Sequence, residues 1–318
     1  MSYTPTQRDW KNYGKRVYHY QAERFPVLKT AILVAAFSSS SILMSAAMSQ
    51  RHPPHISTFI GAFIITLMFF FQLRVLDEIK DHDTDQKFRP ERPIPRGLVS
   101  LTEIKTLGTI SALGSLALSL WLFPYATVFI GIVWIWMLAM TLEFGVPKWL
   151  HKHPMVYMFS HMLIMPAIDL FITATEWRAY NPWPTDHVFN GLMYFLCLSF
   201  TNGCIIEVGR KMWAPENERP GVDTYSKLYG IGHVTTLWLF CILWAGWASM
   251  HVMLHEPHAK YGIIPILLLY APAIILGVRY ALNPTPRQQR HIDTASGIWV
   301  LLTYLIIGYV PYIHFFTH

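Results

Sequence analysis

Charge is scarce in this chain: Asp, Glu, Lys and Arg make up only 14% of it, well below the roughly 25% of an ordinary soluble domain. Cysteine is scarcer still, at three of 318 residues. Cys197, Cys204 and Cys241 show no CxxC or Cys/His metal spacing. A disulfide scaffold and a zinc fold are therefore excluded, and the three read as small buried apolar side chains. No Walker, Rossmann or GxSxG motif stands in a sensible context. No cleavable leader is expected, because the first 26 residues are polar and basic. With 53% hydrophobic residues, disorder and collagen are excluded too.

What the chain has is long apolar runs. Seven are clear: 27–48, 56–76, 155–173, 187–206, 231–250, 261–278 and 297–316. Each approaches the roughly 20 residues a spanning helix needs. An eighth run, 107–142, is long enough for two spans, and Phe123-Pro124-Tyr125 marks a tight turn within it. The expected fold is all-α and polytopic: a bundle of nine transmembrane helices with a cytoplasmic-side active-site cap. Residues 1–26 form an amphipathic cytoplasmic arm with interleaved Trp and Tyr, and 27–318 form the membrane domain.

Cytoplasmic loops collect Lys and Arg. Nine spans put 22 of the 25 basic residues on the side of the N-terminus, leaving only Arg51, Arg178 and Lys260 opposite. The N-terminus is therefore expected inside. The net charge of +6 reads as membrane topology rather than nucleic-acid binding.

Two inner loops, 77–105 and 207–229, break the basic pattern. The first carries Asp77, Glu78, Asp81, Asp83 and Asp85, five acids within nine residues. Asp77, Asp81 and Asp85 recur every fourth residue, so a continuing helix puts them on one face, with Glu78 and Asp83 elsewhere. Three carboxylates on one stripe repel one another. A divalent cation reverses that sign, and Mg²⁺ in particular takes one or two carboxylates and completes its shell with waters and substrate phosphate. A solvated helix end is the bland alternative, but acids at a membrane face are costly and usually functional. The rigid turn Arg89-Pro90-Glu91-Arg92-Pro93-Ile94-Pro95-Arg96-Gly97 follows. Its arginines can offer forked donors to phosphate, or anchor the inner leaflet.

The run Asp77-x3-Asp81-x3-Asp85 followed by Arg92-Pro93-Ile94-Pro95-x-Gly97 resembles the first motif of the UbiA superfamily of intramembrane prenyltransferases, NxxxDxxxD and then RPxPxG. Asp81 and Asp85 match the family aspartates, and Asp77 replaces the family Asn. In the second loop Glu207 resembles the first acid of the family's DxxxD, but its i+4 partner is Lys211. Glu216 or Glu218 is left to supply the missing carboxylate. Gly221-x-x-Thr224 through Gly230 resembles the family ending. Phe144 and Lys148 resemble YxxxKR, with Phe for Tyr and Trp149 for Arg.

The resemblance implies an isoprenyl diphosphate held through Mg²⁺ by Asp77, Asp81, Asp85 and Glu207. Catalysis is then expected to rest on Asp81, Asp85, Lys148 and Glu207, with Arg92, Arg210 and Lys211 contacting the diphosphate. The implied product is a prenylated aromatic or other lipid precursor. A UbiA-type terpene cyclase, needing no acceptor, is the nearest alternative. A carrier or lipid-binding subunit is a third, disfavoured because the acids gather at one face. Asp169, inside a span, reads equally as an acceptor-orienting group and as a hydrogen-bonded core acid. His161 and His233 read as packing residues.

Overall fold

The computed structural model describes residues 12–180, 183–219, 222–256 and 260–316. Among them every regular element is helical. Eight segments are long and apolar enough to cross a membrane. These are α2 (Val27–Met48), α3 (Ile56–Lys80), α5 (Leu101–Leu122), α8 with α9 (Pro154–Met162 and Ile164–Trp177), α10 (Asp186–Arg210), α12 (Ile231–Leu254), α13 (Lys260–Leu282) and α14 (Pro286–Tyr309). The ninth expected span is α6, Val128–Thr141. Its 14 residues cover only about 21 Å, less than a roughly 30 Å hydrocarbon layer, so among the described residues eight segments are long enough to span and α6 falls short of the expected ninth.

Local chemistry sets the boundaries. Ser100 accepts from the Glu103 N–H at 3.1 Å while Glu103 accepts from the Ser100 N–H at 2.7 Å. This capping box starts α5 six residues before the apolar run does. Pro166 has no N–H to offer the carbonyl of Met162, and α8 ends at Met162. The expected turn at Phe123 is present, with the Ala126 and Thr127 N–H groups returning to the Phe123 carbonyl.

The helices close into a ring. α2 packs on α3, α9 and α14; α14 on α13; α13 on α12; α12 on α10; and α10 returns to α9 and α14. α5 packs along α3, and α6 along α9. Close approach is built from small residues: a Cβ on Gly308 of α14 would lie 2.5 Å from the Ser40 Cα of α2. Mid-bundle polar groups are tied across helices. Asp169 is fully buried and accepts from Ser41 at 2.7 Å and Tyr304 at 2.6 Å. Of its two sequence readings, this geometry is that of the hydrogen-bonded core acid. Cys204 and Cys241 are buried as expected, whereas Cys197 is exposed.

Among the described residues, four shorter α-helices, α1 (Tyr13–Arg24), α4 (His82–Phe88), α7 (Pro147–His151) and α11 (Tyr225–Tyr229), and three 3-10 helices complete the elements. α1 docks on the first acidic loop through ion pairs Arg16–Glu103 at 2.8 Å, Arg24–Glu78 at 2.6 Å and Arg96–Glu23 at 2.6 Å. Tyr20 of α1 is buried with Val75, Leu98, Val99 and Ile104.

Candidate functional site

The acidic stripe forms because α3 barely stops. Only Asp81 separates it from α4. The Asp81 N–H donates to the Asp77 carbonyl at 2.9 Å, Asp85 to Asp81 at 2.8 Å, and Arg89 to Asp85 at 2.9 Å. One row of backbone hydrogen bonds therefore carries all three aspartates, as the spacing predicts. Glu78 turns away from them toward Arg24.

The three carboxylates differ in company. Asp77 is exposed and pairs with Arg74. Asp85 is buried and pairs with Arg92 and, at 3.3 Å, with Arg89. Asp81 is half-buried between them and, among the described residues, forms no ion pair of its own. Burial, and then the charges of Asp77 and Asp85, hold its carboxyl above the usual range, opposed by Lys80 and Arg89. Such a group gains from an added cation. Arg96, a third candidate donor in the proline turn, is already engaged with Glu23 and with the Glu91 carbonyl at 2.7 Å. That turn reverses at Gly97, whose φ of 78° favours glycine.

At the end of α10, Glu207 is half-buried and accepts from Arg210 and, at 3.0 Å, from Lys211. Glu216 and Glu218 differ in their surroundings. Glu218 accepts from Thr224 at 2.5 Å and Ser226 at 3.0 Å, which pins the loop over the start of α11. Glu216 is exposed. Gly221 lies outside the described residues. Gly230, at φ 82°, ends the loop and opens α12.

The third patch departs most from expectation. Lys148 is exposed on α7. The cation that enters the structure nearby is Lys80, which sequence reasoning passed over. Its ammonium contacts Glu143 at 3.2 Å, the Tyr157 hydroxyl, and His161 Nε2 at 3.4 Å. Tyr157 and His161 stack with ring centroids 4.0 Å apart. Glu143 and Phe144 both have positive φ, 49° and 55°. Two consecutive non-glycine residues there store backbone strain of the kind found at functional sites. No local pattern flags Lys80. The only hint is the i, i+4 pair Tyr157 and His161, which gives one helical face a ring stack and a lone pair.

Among the described residues no three His, Cys, Asp or Glu side chains converge as a ready chelating set. Asp77, Asp85 and Glu207 each face a basic side chain instead. The donor chemistry still suits a hard divalent ion, being all carboxylate and including an unpaired acid.

The arrangement is thus an acid-rich, arginine-flanked mouth at one end of an apolar bundle. The fold resembles two solved structures. Digeranylgeranylglyceryl phosphate synthase is 18% identical with a TM-score of 0.59, covering 89% of this chain and 99% of that one. A UbiA homologue from Aeropyrum pernix K1, in its apo form, is 14% identical with a TM-score of 0.65, covering 86% and 95%. No curated protein sequence matches significantly. The sequence does match the UbiA prenyltransferase family over residues 38–301, which include both acidic loops and all but the ends of the helical bundle. This membrane protein therefore belongs to the UbiA prenyltransferase family.

Proposed function

We propose that the protein transfers an isoprenyl group from a prenyl diphosphate to a hydrophobic or aromatic acceptor, in a Mg²⁺-dependent reaction at the cytoplasmic membrane face. The observation that carries this reading is the single hydrogen-bonded row of Asp77, Asp81 and Asp85, in which Asp81, among the described residues, forms no ion pair of its own. Asp77, Asp81, Asp85 and Glu207 would hold the ion. When bound, Mg²⁺ neutralises charge on the diphosphate oxygens and makes the diphosphate a better leaving group.

The chain's own residues do the rest. Arg92 and Arg89, now on Asp85, lie where they can turn their forks to phosphate oxygens. Arg210 and Lys211 play the same part from the second loop. Exposed Lys148 is free to reach the same diphosphate. As the C–O bond breaks, these cations stabilise charge on the departing diphosphate. The apolar bundle excludes water from the allylic cation until the acceptor attacks.

The test is purified protein with Mg²⁺ and a panel of prenyl diphosphates, with and without aromatic and lipid acceptors. A prenylated acceptor formed only when both substrates are present is the expected result. Cyclic hydrocarbon formed without any acceptor would favour a cyclase, which the departures at Phe144 and Lys211 leave as the second reading.

A further inference from the structure

A lateral groove of about 440 Å³ opens between α3, α5 and α6, apart from the acidic mouth. It exists because α5 and α6 share the turn at Phe123 but pack on different partners, α3 and α9. Leu76 and Ile79 of α3 form its floor, with Gly108 and Thr109 of α5 and Met137 of α6 along its sides. Gly108 lets α5 approach α3 closely here, since a Cβ there would lie 2.8 Å from a Val75 methyl.

The two ends of this groove differ chemically. At the deep end, Trp134 donates to Gln72 at 2.9 Å and Gln72 donates to Ser115 at 3.3 Å. The polar atoms there are engaged with one another, which leaves a surface suited to hydrocarbon. At the shallow end, near the same membrane surface as the acidic mouth, Lys105 is exposed and, among the described residues, forms no ion pair. The lining includes no acid. It can therefore match a phosphodiester, but it offers nothing to a choline or ethanolamine ammonium.

We infer that this groove binds one anionic phospholipid, with its phosphodiester on Lys105 and one acyl chain lying along α3 toward Trp134. The site needs only the membrane placement of the bundle and is independent of the reaction at the aspartates. A lysine at a membrane surface with its stem along apolar residues is well suited to such a headgroup.

The test is native mass spectrometry of the full chain in detergent, with added phosphatidylglycerol or phosphatidylcholine. The wild type is expected to retain phosphatidylglycerol over phosphatidylcholine. Lys105→Gln, an exposed substitution that disturbs no contact, is expected to lower that retention roughly fivefold. Thr109→Phe, which fills the groove, is expected to abolish the same adduct, with an unchanged Tm showing that the fold is intact. Equal retention of both lipids by the wild type would overturn the inference, as would a preference that survives Lys105→Gln. Displacement of the phosphatidylglycerol adduct by farnesyl diphosphate would reassign the groove to a prenyl chain and also overturn it.

Discussion

Lys80 and Glu143 form an ion pair at 3.2 Å that joins the end of α3 to a turn of positive-φ residues after α6. The lysine lies one residue from Asp81, yet its side chain leaves the acidic stripe and enters the neighbouring loop. The pair therefore fixes the stripe against the segment that carries Phe144 and Lys148.

Breaking this pair should be costly on both counts. Lys80→Met leaves Glu143, which is mostly buried, without its ammonium. Loss of about 3 kcal/mol is expected by analogy with other broken buried pairs. Glu143→Gln keeps a hydrogen-bond acceptor and should lose less. Thermal unfolding in detergent reads the difference, and equal Tm values for Lys80→Met and wild type would contradict it.

Asp81→Asn and Asp85→Asn should each lower Mg²⁺-dependent diphosphate release at least about 100-fold. Asp83→Asn, on another face of α4, should stay close to wild type. If all three variants behave alike, the stripe is not the site of chemistry.

The raised pKa of Asp81 gives a pH dependence with a definite sign. Between the ordinary value of 3.8 and its raised one, the folded protein holds a proton that the unfolded chain has lost. Without metal, stability from this group is therefore present at low pH and declines as pH rises through that window. Metal binding requires the anion, so apparent Mg²⁺ affinity should rise over the same interval. Activity titrated with Mg²⁺ at several pH values tests this, and Asp81→Asn should flatten the profile.

Arg92 neutralises Asp85 before substrate arrives and is proposed to pass to the diphosphate afterwards. Arg92→Ala should raise the KM for prenyl diphosphate about tenfold. Arg92→Lys should recover little of it, because a point charge does not replace a forked donor. Full recovery by lysine would mean that only net charge matters there.

Asp169 should prove structural. It joins α9 to α2 and α14 through Ser41 and Tyr304. Asp169→Ala removes the acceptor of the buried Tyr304 hydroxyl, while Ser41 keeps the Phe37 carbonyl at 2.9 Å, and should cost about 2 kcal/mol. Surviving protein should retain its KM for both substrates. A selective change in acceptor KM with unaltered Tm would give Asp169 a part in binding instead.

The spans, the turn at Phe123 and the aspartate row were legible in the sequence because each depends on neighbours a few residues away. Hydropathy over about 20 residues decides what enters lipid, and a repeat of four decides what shares a helix face. Even here α6 came out short and α5 began early, since capping by Ser100 and Glu103 extends a helix beyond its apolar run. The partners of the charges were not legible. Asp85 with Arg92 and Glu218 with Thr224 and Ser226 are set by how one loop folds back on itself, whereas the entry of Lys80 rather than Lys148 into the loop network depends on how separate helix ends meet. Composition placed the polar chemistry at one end of the bundle. Only tertiary packing decided that Glu78 pairs with Arg24, Glu103 with Arg16 and Glu143 with Lys80, because these partners lie far apart in the sequence and meet only where separate helix ends pack together.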